Sequence, residues 1–440
     1  MQTTTERIER PEDRFLAAFE VHAGHALNGN GPRMQALRRE ALTHFARLGF
    51  PERKAEAWKY TNIGRKLAHP YALGAPAPAL TRDDLAPYAI PGLDAARAAL
   101  VNGRFEPGLS SLDGLPEGVV VTGLAEAAGA HPELFERHFA HYADYRGEVF
   151  TALNTAFTRD GLFVYVPANT VVERPIHALS LLDTDADLFL QPRLLVVVER
   201  GAQVRLIESR HARTGTKTFT NGVTEIFVGP NAHVDLFTLQ DEGDAAAQVA
   251  SRYAYQEADS YLATSTITLS GDLVRNTQNY LPDAENCETH LRGLFLGRGT
   301  MHVDNHTLVD HAKPHCYSNE LFKGILADRA TGVFNGKVFV RPDAQQTNAY
   351  QENKTVLLSE AARMYAKPEL EIYADDVKCS HGATTGRLDA EAMFYLRTRG
   401  LTDGQARRML LLAFARDVID EIAVEPLRAH LDRLIERRLP

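Results

Sequence analysis

The residues best suited to chemistry are Cys379 and His381, in the run Cys379-Ser380-His381-Gly382-Ala383-Thr384-Thr385-Gly386. Residues i and i+2 of a strand face the same side, so a thiol and an imidazole can point together into one cleft or interface. Both suit a soft or borderline metal such as iron or zinc. The structural alternative is a buried Cys and a hydrogen-bonded His in a turn ending at Gly382 and Gly386. A cysteine-protease arrangement has less support, because no orienting Asn or Asp can be assigned.

A second cluster spans 302–316: His302, Asp304, His306, Asp310, His311, His315 and Cys316. His302, Asp304 and His306 share one strand face, as a carboxylate–imidazole metal site of a β-rich metalloenzyme would require. The same spacing also gives a polar ladder on a sheet. In a stacked fold, Cys287 and His290 are expected to lie beside this cluster. Trp58 and Tyr60 are expected to anchor a core. Several chemistries lack their motif. No G-x-x-x-x-G-K-[ST] loop provides for nucleotide hydrolysis, no C-x-x-C pair exists, and no βαβ unit surrounds the glycines between 293 and 299.

The elements that must position these residues fall into three regions. Residues 1–148 read as helical and mixed, with an amphipathic helix over 33–48 after a turn at 28–32, an Ala/Pro link at 74–79 and a short helix over 133–145. Residues 149–386 consist of short runs rich in Val, Ile, Leu, Phe, Tyr and Thr, broken by Gly, Asn, Asp and Pro. Most turns recur about 30 residues apart, which favours a parallel β-helix whose stacked coils share one core. A sandwich or double-layered barrel is the rival. Residues 387–440 read as helices: one over 389–398, an apolar one capped by Thr402 with Gln405 in a capping box, and a last one near Pro426.

Of the 440 residues, 44% are hydrophobic and 24% charged, with a net charge of −9. That balance offers no electrostatic footprint for nucleic acid or an anionic membrane. No apolar run has the length of a membrane span, and the first ten residues lack the apolar centre of a signal peptide. Three scattered cysteines fit a reducing cytoplasm rather than a disulfide framework.

Residues 371–386, with Met393-Phe-Tyr-Leu-Arg-Thr-Arg-Gly400, resemble the C-terminal signature of the SufB/SufD family of iron–sulfur cluster assembly scaffold proteins. Residues 304–311 and 335–337 match the family's core, and 51–62 resembles the N-terminal segment of its SufD branch; the few cysteines also favour that branch over SufB. The resemblance implies a right-handed parallel β-helix flanked by helical regions and a non-catalytic subunit of an ATP-driven complex. It implies pairing with a SufB-like subunit and docking of the SufC-like ATPase on the C-terminal helices; an exposed β-helix edge leaves self-pairing into a homodimer open to the isolated chain. No tightly bound cofactor is expected on the chain alone; iron or a nascent cluster passes transiently. The family's interface histidine corresponds to His381, and Cys379 matches the motif's cysteine. The resemblance assigns no role to the 302–316 cluster.

Overall fold

The computed structural model describes residues 10–23, 32–52, 54–74 and 79–439. The expected turn over 28–32, most of the link over 74–79 and the first nine residues lie outside these.

The turn period becomes a column of corners. Asn169, Gly201, Asn231, Asp259, Asn286, His315 and Gln346 all adopt positive φ. Asn, Asp and Gly tolerate this left-handed conformation best, and of this column the sequence pointed to Asn169, Gly201 and Asn231; its other expected turns contain Gly271, Gly299 and Asp328, also at positive φ. Each corner N–H donates to a carbonyl one coil further on: Asn169 to Arg200, Gly201 to Pro230, Asn231 to Ala258, Asp259 to Glu285, Asn286 to Pro314, His315 to Gln345 and Gln346 to Asp376. The coils therefore stack in register, and the chain forms a parallel β-helix of two ten-stranded sheets. One sheet ends at Asn348–Leu357 and Lys378–Gly386, the other at Thr331–Val340 and Arg363–Ile372. The sheets reach back into the N-terminal region, since Ala96–Val101 pairs in parallel with Ile176–Leu182.

Strand alternation divides the side chains between interior and exterior. Leu162, Val164, Leu194, Val196, Leu206, Val234 and Leu236 fill the interior at the N-terminal end. On the outer face of one sheet, Phe163, Leu195, Val197 and Phe219 receive Phe15, Phe45, Phe150 and Phe157 from the N-terminal helices. On the outer face of the other, Phe237, Leu239, Ile267, Leu294 and Ile325 receive Leu411, Val418, Ile419, Leu427, Leu431 and Ile435 from the C-terminal helices. Fully burying each such side chain contributes about 1.5–3 kcal/mol, so both helical regions are integral to the body. The capping box at Thr402 forms, with Thr402 N–H donating to Gln405 Oε1 at 2.9 Å. The C-terminal helices Ala390–Thr398, Asp403–Ile419 and Glu425–Arg438 match the sequence reading closely. No helix among the described residues is long and apolar enough to cross a membrane.

The helix expected over 133–145 is shorter, Pro132–His138. The cause is Glu225, a fully buried carboxylate on strand Thr218–Val228. It accepts the N–H groups of Ala140, Tyr142 and Ala143 at 2.9–3.0 Å, donors that a longer helix would direct to its own carbonyls. Arg193 pairs with the same carboxylate at 2.6 Å, and both side chains are 0% exposed. Removing one partner of such a pair leaves an uncompensated buried charge. Glu225→Ala is expected to cost about 3–5 kcal/mol in urea unfolding; a loss below about 1 kcal/mol would contradict this assignment.

Candidate functional site at the open coil

Strand Lys378–Gly386 is the last of its sheet, in parallel register with Asn348–Leu357. Cys379 pairs with Ala349 and His381 with Gln351. Ala349 and Gln351 are buried inside the helix, so Cys379 and His381 share the inward face, as the i, i+2 spacing required. Their surroundings differ. Cys379 is half-buried against Val338, Val340 and Ala344, and burial pushes its thiol pKa up. His381 is exposed at the mouth of the coil. A low-pKa nucleophile is therefore absent here, while the imidazole is accessible. No group of three His, Cys, Asp or Glu among the described residues could hold a metal ion. The open coil presents one accessible imidazole.

Beneath His381 runs a polar column. Gln351 Nε2 lies 3.4 Å from Glu320 Oε1 on the preceding coil, and Thr307 Oγ1 donates to Glu320 Oε2 at 2.6 Å. Glu320 is fully buried, and burial raises its carboxyl pKa to about 7. The sequence reading missed Gln351 and Glu320. They were accessible by counting one and two coils back from His381 at the turn period.

The 302–316 cluster is not one site. His302, Asp304 and His306 face outward on His302–His311 and are covered by the segment containing Trp58 and Thr61. Thr61 Oγ1 donates to Asp304 Oδ2 at 2.5 Å and lies 2.8 Å from His302 Nε2. Arg275 Nη1 donates to Asp304 Oδ2 at 2.5 Å and lies 3.2 Å from His306 Nε2. The Arg275 guanidinium sits 3.8 Å from the Trp58 ring centroid. A metal would have to displace this cation. Burial alone would raise the Asp304 pKa, but Arg275 and His306 outweigh it and hold the carboxyl well below the usual range. The metalloenzyme expectation thus gives way to a clamp that fastens the N-terminal segment to the β-helix. Trp58 anchors it as expected, but Tyr60 is 42% exposed and stacks on Tyr365 at 4.4 Å.

Of the two other expected neighbours, Cys287 does lie against the cluster, beside Cys316, whereas His290 does not join His302, Asp304 and His306. His290 lies on Glu288–Gly297, in the opposite sheet. Cys287 and Cys316 are buried in adjacent corners, each Sγ 3.2 Å from the Ala284 carbonyl. The neighbouring Cys287 thiol and burial hold Cys316 protonated.

Beside the open coil, helix Ala390–Thr398 buries none of its residues. Phe394 is 70% exposed, Tyr395 56%, and Met409 on the next helix 54%. Three large apolar side chains are thus left exposed on these two helices.

Two family models cover the chain: the SufBD protein N-terminal region matches residues 9–178, and the SufBD core domain of SUF system FeS cluster assembly matches 181–414. The chain belongs to the SufBD family. An iron–sulfur cluster assembly SufBD family protein of Synechocystis is 34% identical over 99% of this chain and 97% of its own. Iron–sulfur cluster assembly protein SufD of Escherichia coli is 27% identical over 94% of this chain and 96% of its own. SufD of Bacillus subtilis is 30% identical over 73% and 74%. The core-domain match spans the open coil and the exposed helix that follows it.

Because the Glu320 pKa is higher folded than unfolded, its stabilising contribution is complete below the ordinary Glu range and lost as pH rises through about 7. Relative to Glu320→Gln, the wild type is expected to lose about 1.4 kcal/mol per pH unit between about pH 5 and 7. Denaturant unfolding across that range checks this; a pH-independent difference would show that Glu320 ionises normally.

Proposed function

We propose that this chain is the non-ATPase scaffold subunit of a SUF iron–sulfur cluster assembly complex. It pairs with a SufB-like subunit through its open coil and docks a SufC-like ATPase on the helices that follow. His381 then stands at the interface between the two scaffold subunits. There it contributes one ligand to entering iron or to a nascent cluster, which is cargo rather than a resident cofactor.

The observation that carries this reading is the pairing of an accessible imidazole with an unfinished sheet edge. The edge strand Lys378–Gly386 presents backbone groups with no further strand to take them, so a partner strand that covers the edge also approaches His381. A neutral imidazole binds iron and releases it more readily than a closed thiolate set. The exposed Phe394, Tyr395 and Met409 give the ATPase an apolar footing one short segment from that strand, a direct mechanical route from nucleotide-driven motion to the interface. In isolation the same edge favours a homodimer. Three unpaired thiols suit a reducing compartment, and we place the protein in the cytoplasm.

Co-purification with SufB-like and SufC-like subunits, followed by anaerobic iron and sulfide analysis, tests the assignment. His381→Ala is expected to leave the three-subunit complex intact and cut cluster formation at least tenfold, a loss of about 1.4 kcal/mol. Phe394→Asp is expected to release the ATPase subunit alone. Normal iron and sulfide content in the His381 variant would reduce the chain to a structural adaptor.

A further inference from the structure

Gln351 is the residue on which His381 stacks, and its amide is only half used. It is 2% exposed. Its side chain spans the interior towards the opposite sheet, since a Cβ on Gly336 would lie 2.5 Å from Gln351 Nε2. Nε2 is turned to Glu320 on the coil beneath. Oε1, at the other side of the planar amide, is buried and has no hydrogen-bond partner among the described residues. An unpartnered buried acceptor is costly and calls for a donor that arrives. Asn353 Oδ1 is also without a partner, but the residue stacked on Asn353 is Ala383, which brings no side-chain donor. The residue stacked on Gln351 is His381, whose ring carries an N–H in its neutral form. The inward positions nearest to it, Ala349, Gln351 and Asn353 on one strand and Ala366, Pro368 and Leu370 on the other, are all uncharged.

We propose that Gln351, held by Glu320, is a positioning residue for His381: its Oε1 accepts the ring N–H, which fixes one tautomer and leaves the other ring nitrogen bare and directed out of the coil towards iron. A ligating histidine typically donates its second nitrogen in this way, and loss of such a partner weakens metal binding 10- to 100-fold. This inference rests on the reading of His381 as an iron ligand.

The test is anaerobic Fe(II) titration of the complex assembled with SufB-like and SufC-like subunits, run beside thermal unfolding of each variant. Gln351→Leu removes the acceptor and is expected to weaken Fe(II) binding at least tenfold. Gln351→Glu keeps an acceptor of the same length and is expected to restore binding to within about threefold of wild type, although it adds a second carboxyl beside Glu320 and should melt at a lower temperature than Gln351→Leu. Opposite rankings for iron and for melting are the signature of positioning. If binding instead follows melting temperature across the two variants, the residue is merely structural and the proposal fails. Should Gln351→Leu not assemble, Gln351→Asn withdraws the amide by one methylene and is read in the same way. His381→Ala separates the two levels. Unchanged Fe(II) binding there overturns the ligand reading together with this inference, whereas lost binding there with intact binding in Gln351→Leu overturns the positioning role alone.

Discussion

In a parallel β-helix each coil satisfies its backbone by bonding to the next, so the hydrogen bonds that build the fold must run out at its ends. The two ends of this chain solve the problem differently. At the first coil, Arg104–Phe105 turns back antiparallel on Ala96–Val101, and Val120–Gly123 does the same on Gly161–Val166. These short antiparallel strands close the ladders. At the last coil, Arg363–Ile372 and Lys378–Gly386 end their sheets with no reversed strand beyond them among the described residues. An uncovered edge invites pairing with another chain. That asymmetry leaves the last coil as the end with uncovered strand edges.

The rest of the molecule keeps that end available and well defined. The Arg275–Asp304–Thr61 clamp and the Glu225 carboxylate bind the N-terminal region to one sheet's outer face. On the other sheet, Lys323 is buried beneath the C-terminal helices, where its Nζ donates to the Phe414 carbonyl at 3.0 Å and pairs with Asp417. Asp241 accepts Arg438 at 2.7 Å through both oxygens. These contacts rigidify the helices that pack on the sheet and leave Ala390–Thr398 as the helix with no buried residue. The exposed apolar side chains and the imidazole thus lie on elements that adjoin in the chain.

The coil period, the corners at Asn169, Gly201 and Asn231 and the C-terminal helix caps were legible in the sequence because they depend on local chemistry: left-handed corners favour Asn, Asp or Gly, and helix starts need side-chain acceptors, whereas the corners at His315 and Gln346 carry no such signal. The pairing of Cys379 and His381 on one face was legible for the same reason. What lay hidden depends on partners distant in sequence. His302, Asp304 and His306 have the spacing of ligands, and only Arg275 and Thr61, brought from other elements, reveal a clamp. The helix over 133–145 ends early because Glu225 takes its donors from more than 80 residues away. Glu320 and Gln351 sit at interior positions that apolar alternation would have filled with aliphatic side chains, so only counting back from His381 by the coil period points to them.

The central claim is that the edge of the last coil is the pairing surface. Hydrogen–deuterium exchange of the dilute chain, compared with the chain in complex with a SufB-like subunit, addresses it directly. Amides of Lys378–Gly386 that are not bonded to Asn348–Leu357 are expected to exchange quickly in the free chain and to become protected on binding, with little change at Ala96–Val101. Complex formation that leaves 378–386 exchanging as before, or that protects the opposite end instead, would contradict the account.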